Sequence, residues 1–407
     1  MWRCGIARLF TNGAEEGTAT LSNGHWSGSG GTPTAVTTHP RSGSYEYRFD
    51  PGEALLRQLY FANSDRIMYA RAYLYPDSYP TTDSAIMRIV LSGGDDWVVM
   101  LSTTGTLYLA LKIIGVFVQQ GAATAAIGTG SYVGYVEFKA DTINNVMGFR
   151  WNGTEISGDQ AIAGGQTFGA SGNEPTFGLD VASIGHGGLL FMDDIAINDD
   201  QGSFQNSWPG AAEVINLRPN AAGDNAGWAI ITGEASNYQA VDEVTPDDAT
   251  SYVQGDPVNE TDDHNVDAVP AAMESTDTIS LVEVHTRFAG VGVDSNLFLP
   301  RIKMSSGGTV EEGTAHAPTS ATWFTNAKTE ARLAKLRIYE MPGASTTAIT
   351  PADLGTMQIG YRISLEVDVN QTNISAVYAT VEHVPAAAAA RQPRPGFVQG
   401  SQASGWY

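Results

Sequence analysis

The stretch Ile67 to Tyr75, IMYARAYLY, sets Ile67, Tyr69, Arg71, Tyr73 and Tyr75 against Met68, Ala70, Ala72 and Leu74. Strict alternation turns successive side chains to opposite faces, the geometry of a strand with one face on a core. The same period of two recurs at Tyr45, Tyr47 and Phe49, and again around Val146 to Trp151. Helix-period stripes are nearly absent. The breaks between strands are rich in Gly, Asn, Asp and Pro, the residues that turns require. In GFRWNGTEI, Asn152-Gly153 falls between two alternating runs, a strong signal for a two-residue hairpin. Many short strands punctuated in this way exclude a helical bundle and a βαβ fold. They leave sandwiches and barrels.

The stretch Leu189 to Pro209, LLFMDDIAINDDQGSFQNSWP, reads as strand, turn and polar exit. Leu189, Phe191, Ile195 and Ile197 are strand formers, Asp193 and Asp194 interrupt them, and Asn198 to Gly202 form a turn cluster. At 407 residues the chain is long for one core, so two domains are expected. The boundary falls in the extended run Ala211 to Pro219. This gives a first β-sandwich over 1–210, a second over 211–385, and a tail over 386–407. The second group of strands includes Trp228–Thr232, Tyr238–Val241, Thr278–Ala289, Gln358–Val369 and Ile374–His383. Ala54 to Tyr60 reads as a short helical turn. Thr350-Pro351 reads as a helix start, Thr as N-cap and Pro at the first helical position, with the helix ending by Gly355 or just beyond.

The chain carries 44 acidic against 22 basic residues, a formal charge of −22. No Lys or Arg lies between Arg218 and Arg287, an interval with 14 acids. Such a surface repels nucleic acid and anionic lipid, so neither is expected as a partner. No apolar run approaches the ~20 residues of a membrane helix. The single cysteine, Cys4, excludes an intrachain disulfide.

Four constellations bear on chemistry. Asp193, Asp194, Asp199 and Asp200 carry oxygens of the kind Ca²⁺ takes six to eight of. Their spacing fails the EF-hand template, which leaves calcium ligands and a hydrogen-bonded structural turn as the two readings. The seven histidines are scattered without zinc-ligand spacing. No G-x-S-x-G elbow occurs. Glu366-Val367-Asp368 approaches a two-carboxylate glycosidase strand, but Gln371 stands where the second glutamate belongs. No catalytic residue is expected.

The residues DDIAIND and GSFQNSWPG within 193–210 resemble the last strand and exit loop of concanavalin A-like, laminin-G-like jelly rolls in tailed-bacteriophage virion proteins. RSGSYEYRF (41–49) resembles an early strand of that family. GWAIITGEASNYQAVDEVTPDDATSYV (227–253) and TPADLGTMQIGYRI (350–363) resemble patterns in the domain that follows it. Ile349 departs from the aromatic expected before the short helix. The resemblance implies an all-β protein of two tandem sandwiches, the first a concanavalin A-like jelly roll. It implies a non-enzymatic structural component on the virion exterior, at the tail tip, tail fibre or another appendage, made in the host cytoplasm. Other virion proteins, further copies of itself and host-surface carbohydrate are the implied partners. The alternatives are a capsid fibre or decoration protein, or a bacterial carbohydrate-binding module. The tail AAAAARQPRPGFVQGSQASGWY cannot bury enough to fold alone. It reads either as disordered or as an extended arm ordered on a neighbouring subunit, with Phe397, Trp406 and Tyr407 as anchors.

Overall fold

The computed structural model describes residues 7–19, 26, 28–56, 66–90, 96–113, 116–162, 174–179, 188–231, 233–246, 248, 250–290, 296–318, 333–344, 346–366 and 371–386. Among these the chain is almost all strand and turn, with a short α-helix, Pro351–Leu354, and a 3-10 helix, Asn237–Ala240.

The strand Leu190–Asp199 lies inside a nine-stranded sheet. It runs antiparallel to Ile67–Pro76 along one side. Along the other, Glu46–Phe49 pairs with its first residues and Arg8–Asn12 with its last. Gly134–Asp141 pairs with the far side of Ile67–Pro76, and Val146–Trp151 follows. Asn152 and Gly153, at φ 51° and 74°, turn the chain into Thr154–Glu155. Both positive angles match the right-handed twist of the paired strands.

A seven-stranded sheet faces it, in the order Val116–Ala123, Leu107–Ile113, Asp96–Leu101, Ser84–Val90, Glu174–Gly178, Ala54–Leu56, Gly28–Gly30. The core between them is filled by the even-numbered residues of Ile67–Pro76 (Met68, Ala70, Ala72, Leu74) and by Leu190, Met192, Ile195 and Ile197. They meet Ile89, Trp97, Val99 and Leu109 from the opposite sheet.

Strands from Glu213 onward build two more sheets. A six-stranded sheet runs Ala229–Ile230, Val253–Gly255, Thr372–Val384, Thr278–Gly290, Leu333–Ile338, with Glu213–Leu217 also on Thr372–Val384. A five-stranded sheet runs Pro219–Ala226, Thr261–Val266, Gln358–Leu365, Leu297–Lys303, Glu311–Glu312. Val282, Val284, Val377 and Val381 of the first meet Ile302, Ile359, Tyr361 and Ile363 of the second. The fold is therefore all-β, and its sheets pack in sandwiches.

Several elements differ from the sequence expectation. Ala54–Leu56 is a strand, not the start of a helical turn, because it pairs on both sides, with Glu174–Gly178 and Gly28–Gly30. Tyr238 to Val241 is mostly 3-10 helix. Thr309 to Ala315 holds only the two-residue strand Glu311–Glu312. The helix at Pro351–Leu354 follows its cap signal, and the Asp353 carboxylate accepts the Thr350 backbone N–H at 2.8 Å. Phe397, Trp406 and Tyr407 lie outside the described residues. The root of the tail is fixed at Ala386, whose N–H donates to Asp277 at 2.9 Å.

Candidate functional site

Alternation along Ile67–Pro76 has a second consequence. With Met68, Ala70, Ala72 and Leu74 inward, Tyr69, Arg71, Tyr73 and Tyr75 stand on the outer face of the nine-stranded sheet. Register sets Tyr135 beside Tyr73 and Glu137 beside Arg71, and Arg150 lies across from Glu137. Trp208 reaches the same face from the segment after the Leu190–Asp199 strand. Its ring lies 5.2 Å from Tyr69, with the Arg150 guanidinium 4.4 Å from it. Tyr73 and Tyr135 are 5.0 Å apart. Farther along, Tyr75 contacts Tyr132 at 5.6 Å and Phe191 at 5.3 Å, and His39 stacks on Tyr75 at 4.5 Å. The result is a row of rings outside the core between the two sheets, in which Tyr69, Tyr73, Tyr75 and Phe191 are themselves buried. Tyr132, Tyr135 and Trp208 are only half-buried.

Polar groups are set among these rings. Glu137 is buried. One carboxylate oxygen accepts the Gly210 N–H at 2.7 Å, and the other has no hydrogen-bond partner among the described residues. Arg150 Nε likewise finds none among them. Burial raises the Glu137 pKa, against the lowering effect of the Gly210 N–H, Arg71 and Arg150. Gly210, at φ 71°, also gives its carbonyl to Arg71 at 2.9 Å, so the Trp208-Pro209-Gly210 segment is pinned through both the N–H and the C=O of Gly210.

The acidic residues are hydrogen-bonded to protein groups. Asp193 and Asp194 are fully buried at a bulge in the Leu190–Asp199 strand, where Asp194 takes φ 51°. Asp193 accepts N–H groups of Arg41 at 3.0 Å, Ser42 at 3.3 Å and Asp194 at 2.7 Å. Burial, with Asp194 beside it, holds Asp193 well above the usual carboxylate range. Asp194 binds the Arg41 guanidinium, the Ser42 hydroxyl at 2.6 Å and the Val214 N–H at 2.7 Å. Asp199 pairs with Arg66 at 2.5 Å, and Asp200 accepts the Gln201 side-chain amide at 2.9 Å. Asp193 and Asp194 are thus spent on fastening the 41–42 loop and the Glu213–Leu217 strand. Among the described residues no three His, Cys, Asp or Glu side chains gather to hold a metal ion. Glu366 is exposed just after its strand, and Asp368 lies outside the described residues.

A polar seam beside this face joins the two halves of the chain. Glu382, on Thr372–Val384, is fully buried between Arg8 and Arg71. It accepts from Arg71 at 3.1 Å, from Arg8 at 3.0 Å through its other oxygen, and from the Ser280 hydroxyl at 2.7 Å. Burial alone would raise its pKa, but the two guanidiniums outweigh burial and bring it to about 2. Arg218 donates to the Glu15 carbonyl at 2.9 Å, and Arg337 to the Leu9 carbonyl at 3.1 Å. Sequence reasoning did not find this seam. The one local signal was a charge at Arg71 inside an otherwise apolar and aromatic strand.

No protein-family model and no curated protein matches the chain. Solved structures that it is similar to include "Cellulose induced protein, Cip1", at 14% identity over 45% of this chain and 88% of that one, with a TM-score of 0.33. Another is domain 4 of AbnA, a GH43 extracellular arabinanase from Geobacillus stearothermophilus in complex with arabinotriose, at 10% identity over 49% and 95%, TM-score 0.35. A third is the carbohydrate-binding module CBM66 from Bacillus subtilis, at 7% identity over 42% and 96%, TM-score 0.30.

Proposed function

We propose that this chain is a non-enzymatic β-sandwich module that binds carbohydrate on the outer face of its nine-stranded sheet. One observation carries the reading: the half-buried rings Tyr132, Tyr135 and Trp208 and the half-buried Arg150 border the outer face of the nine-stranded sheet, whose centre at Tyr69, Arg71, Tyr73 and Glu137 is itself buried. A sugar ring offers an apolar C–H face for stacking and hydroxyls at its rim. Partly exposed rings beside the Arg150 guanidinium meet both needs. Trp208 is held in place by Pro209 and by the Gly210 bonds to Glu137 and Arg71, so little ordering remains for a ligand to impose.

The setting proposed for this module is the exterior of a tailed-phage virion. The sequence resemblance at 41–49, 189–209, 227–253 and 350–363 supports that setting. The seam supports it in a second way, since ion pairs buried between two sandwiches suit a part that transmits load rather than one that flexes. Affinity electrophoresis against a panel of soluble polysaccharides tests the binding reading. The intact chain is retarded by at least one polymer, and Tyr135→Ala and Trp208→Ala each abolish the retardation with an unchanged melting temperature. Passage of the intact chain through every polymer at its unretarded rate would sink the reading.

A further inference from the structure

Between Lys112 and Glu137 the sequence has no charged residue and no histidine, in a chain of net charge −22. The structure puts the start of that interval at an edge. Among the described residues, Val116–Ala123 is the outermost strand of the seven-stranded sheet and pairs with Leu107–Ile113 on one side. From Val116 to Gln120 the ladder is regular, and the register shifts only beyond Gln120. Val116 is 64% exposed and Val118 43%, and most of 121–130 is exposed as well. Edge strands in soluble proteins are usually blunted by lysine, proline, inward charge or a bulge, because their free N–H and C=O groups template another strand. None of these devices falls within Val116–Gln120.

We propose that this edge pairs with the same edge of a second copy, antiparallel about a two-fold axis, and joins two seven-stranded sheets into one. The charge distribution selects a second copy as the occupant. Two chains of −22 repel over most of their surface, and they approach at least cost where both are uncharged. An isologous contact also requires a strand that matches itself when reversed. With Val118 on the axis, Val118 faces its own counterpart, Phe117 faces Gln119, and Val116 faces Gln120. No like charges are opposed, and each Val116 packs on a Gln120 stem. The pairing adds main-chain hydrogen bonds of the kind used in strand addition. It is independent of the sugar-binding reading, because it uses the opposite sheet.

The test is sedimentation velocity of the full chain at micromolar concentration. The wild type is expected to be a dimer, and raising the salt from near zero to about 0.15 M tightens it by screening the mutual repulsion. An interface made of ion pairs would weaken instead. Val118→Lys, which opposes two ammonium groups at the axis, is expected to weaken dimerisation at least tenfold. If that variant melts early, Val116→Lys at the more exposed position replaces it. Ile143→Lys, an exposed apolar position elsewhere, should leave the dimer intact. A monomeric wild type would overturn the proposal. So would a dimer that survives both edge lysines, or one lost on truncation after Ala386 but kept in Val118→Lys.

Discussion

Replacing Glu382 with glutamine removes the carboxylate that pairs directly with both Arg8 and Arg71 where the two halves meet. Both guanidiniums are essentially inaccessible to water, at 1% and 0% exposure, so neither can recover its hydration without opening the seam. A carboxyl held at about 2 rather than 4.5 has its charged form favoured by about 3 kcal/mol, at 1.36 kcal/mol per pH unit. Removing one member of a buried ion pair typically costs about 3–5 kcal/mol, which brackets that figure. Urea unfolding followed by tryptophan fluorescence should therefore show Glu382→Gln destabilised by about 3 kcal/mol. Because Glu382 belongs to one half and both arginines to the other, the single transition expected of the wild type should separate into two. The triple replacement Arg8→Met, Arg71→Met, Glu382→Leu should recover much of the loss, since no unpaired charge then stays buried. A loss below about 1 kcal/mol for Glu382→Gln would refute the claim that this triad locks the halves.

Three further outcomes follow from the same coordinates. Burial raises the pKa of Glu15 to about 8, Glu46 to about 7 and Asp262 to about 6. Their folded values lie above their unfolded ones, so their contribution is complete below about pH 4 and is lost as pH rises through 6 to 8. Glu382, with a lowered value, contributes above 4.5 and loses that contribution as pH falls toward 2. The melting temperature should peak in mildly acidic solution, and a melting temperature that climbs steadily from pH 5 to 8 would contradict this. Gly360→Ala should be among the most damaging single changes, because a Cβ there collides with the Asp262 carbonyl oxygen. Overpacking typically costs about 1–3 kcal/mol, and a backbone clash in a central strand should reach or pass the top of that range by urea titration. Adding Ca²⁺ or a chelator should leave the melting temperature unchanged, since Asp193 and Asp194 already accept protein donors. A rise of several degrees with Ca²⁺ would show a site that this arrangement does not provide.

Much of the first sandwich could be read from the sequence because its strands obey one rule. Ile67–Pro76 and Val146–Trp151 alternate, and Asn152-Gly153 supplies the turn between Val146–Trp151 and its partner. Thr261–Val266, TDDHNV, escaped that reading. It alternates too, but in polar residues on both faces. Asp262 turns inward, where the Trp228 N–H at 3.1 Å and the Asn237 amide at 2.6 Å satisfy it. Asp263 turns outward to Lys303 at 2.9 Å and Arg301 at 3.2 Å, across a middle strand that has Gly360 at that point. A hydrophobicity pattern cannot register a strand whose buried positions are hydrogen-bonded instead of apolar. The seam was hidden for another reason. Arg71 and Glu382 are separated by 311 residues, and nothing local in either segment names the other. The outer-face rings were visible as tyrosines at period two. Their clustering with Trp208 depended on the path of the chain after the strand.

The most direct measurement is titration calorimetry of a soluble polysaccharide into the intact chain and into Trp208→Ala. Saturable binding by the intact chain and at least a tenfold loss in the variant are expected, the latter corresponding to about 1.4 kcal/mol at the ring. Binding that is equally strong in both, or no heat from any polysaccharide, would contradict a carbohydrate site on the outer face of the nine-stranded sheet.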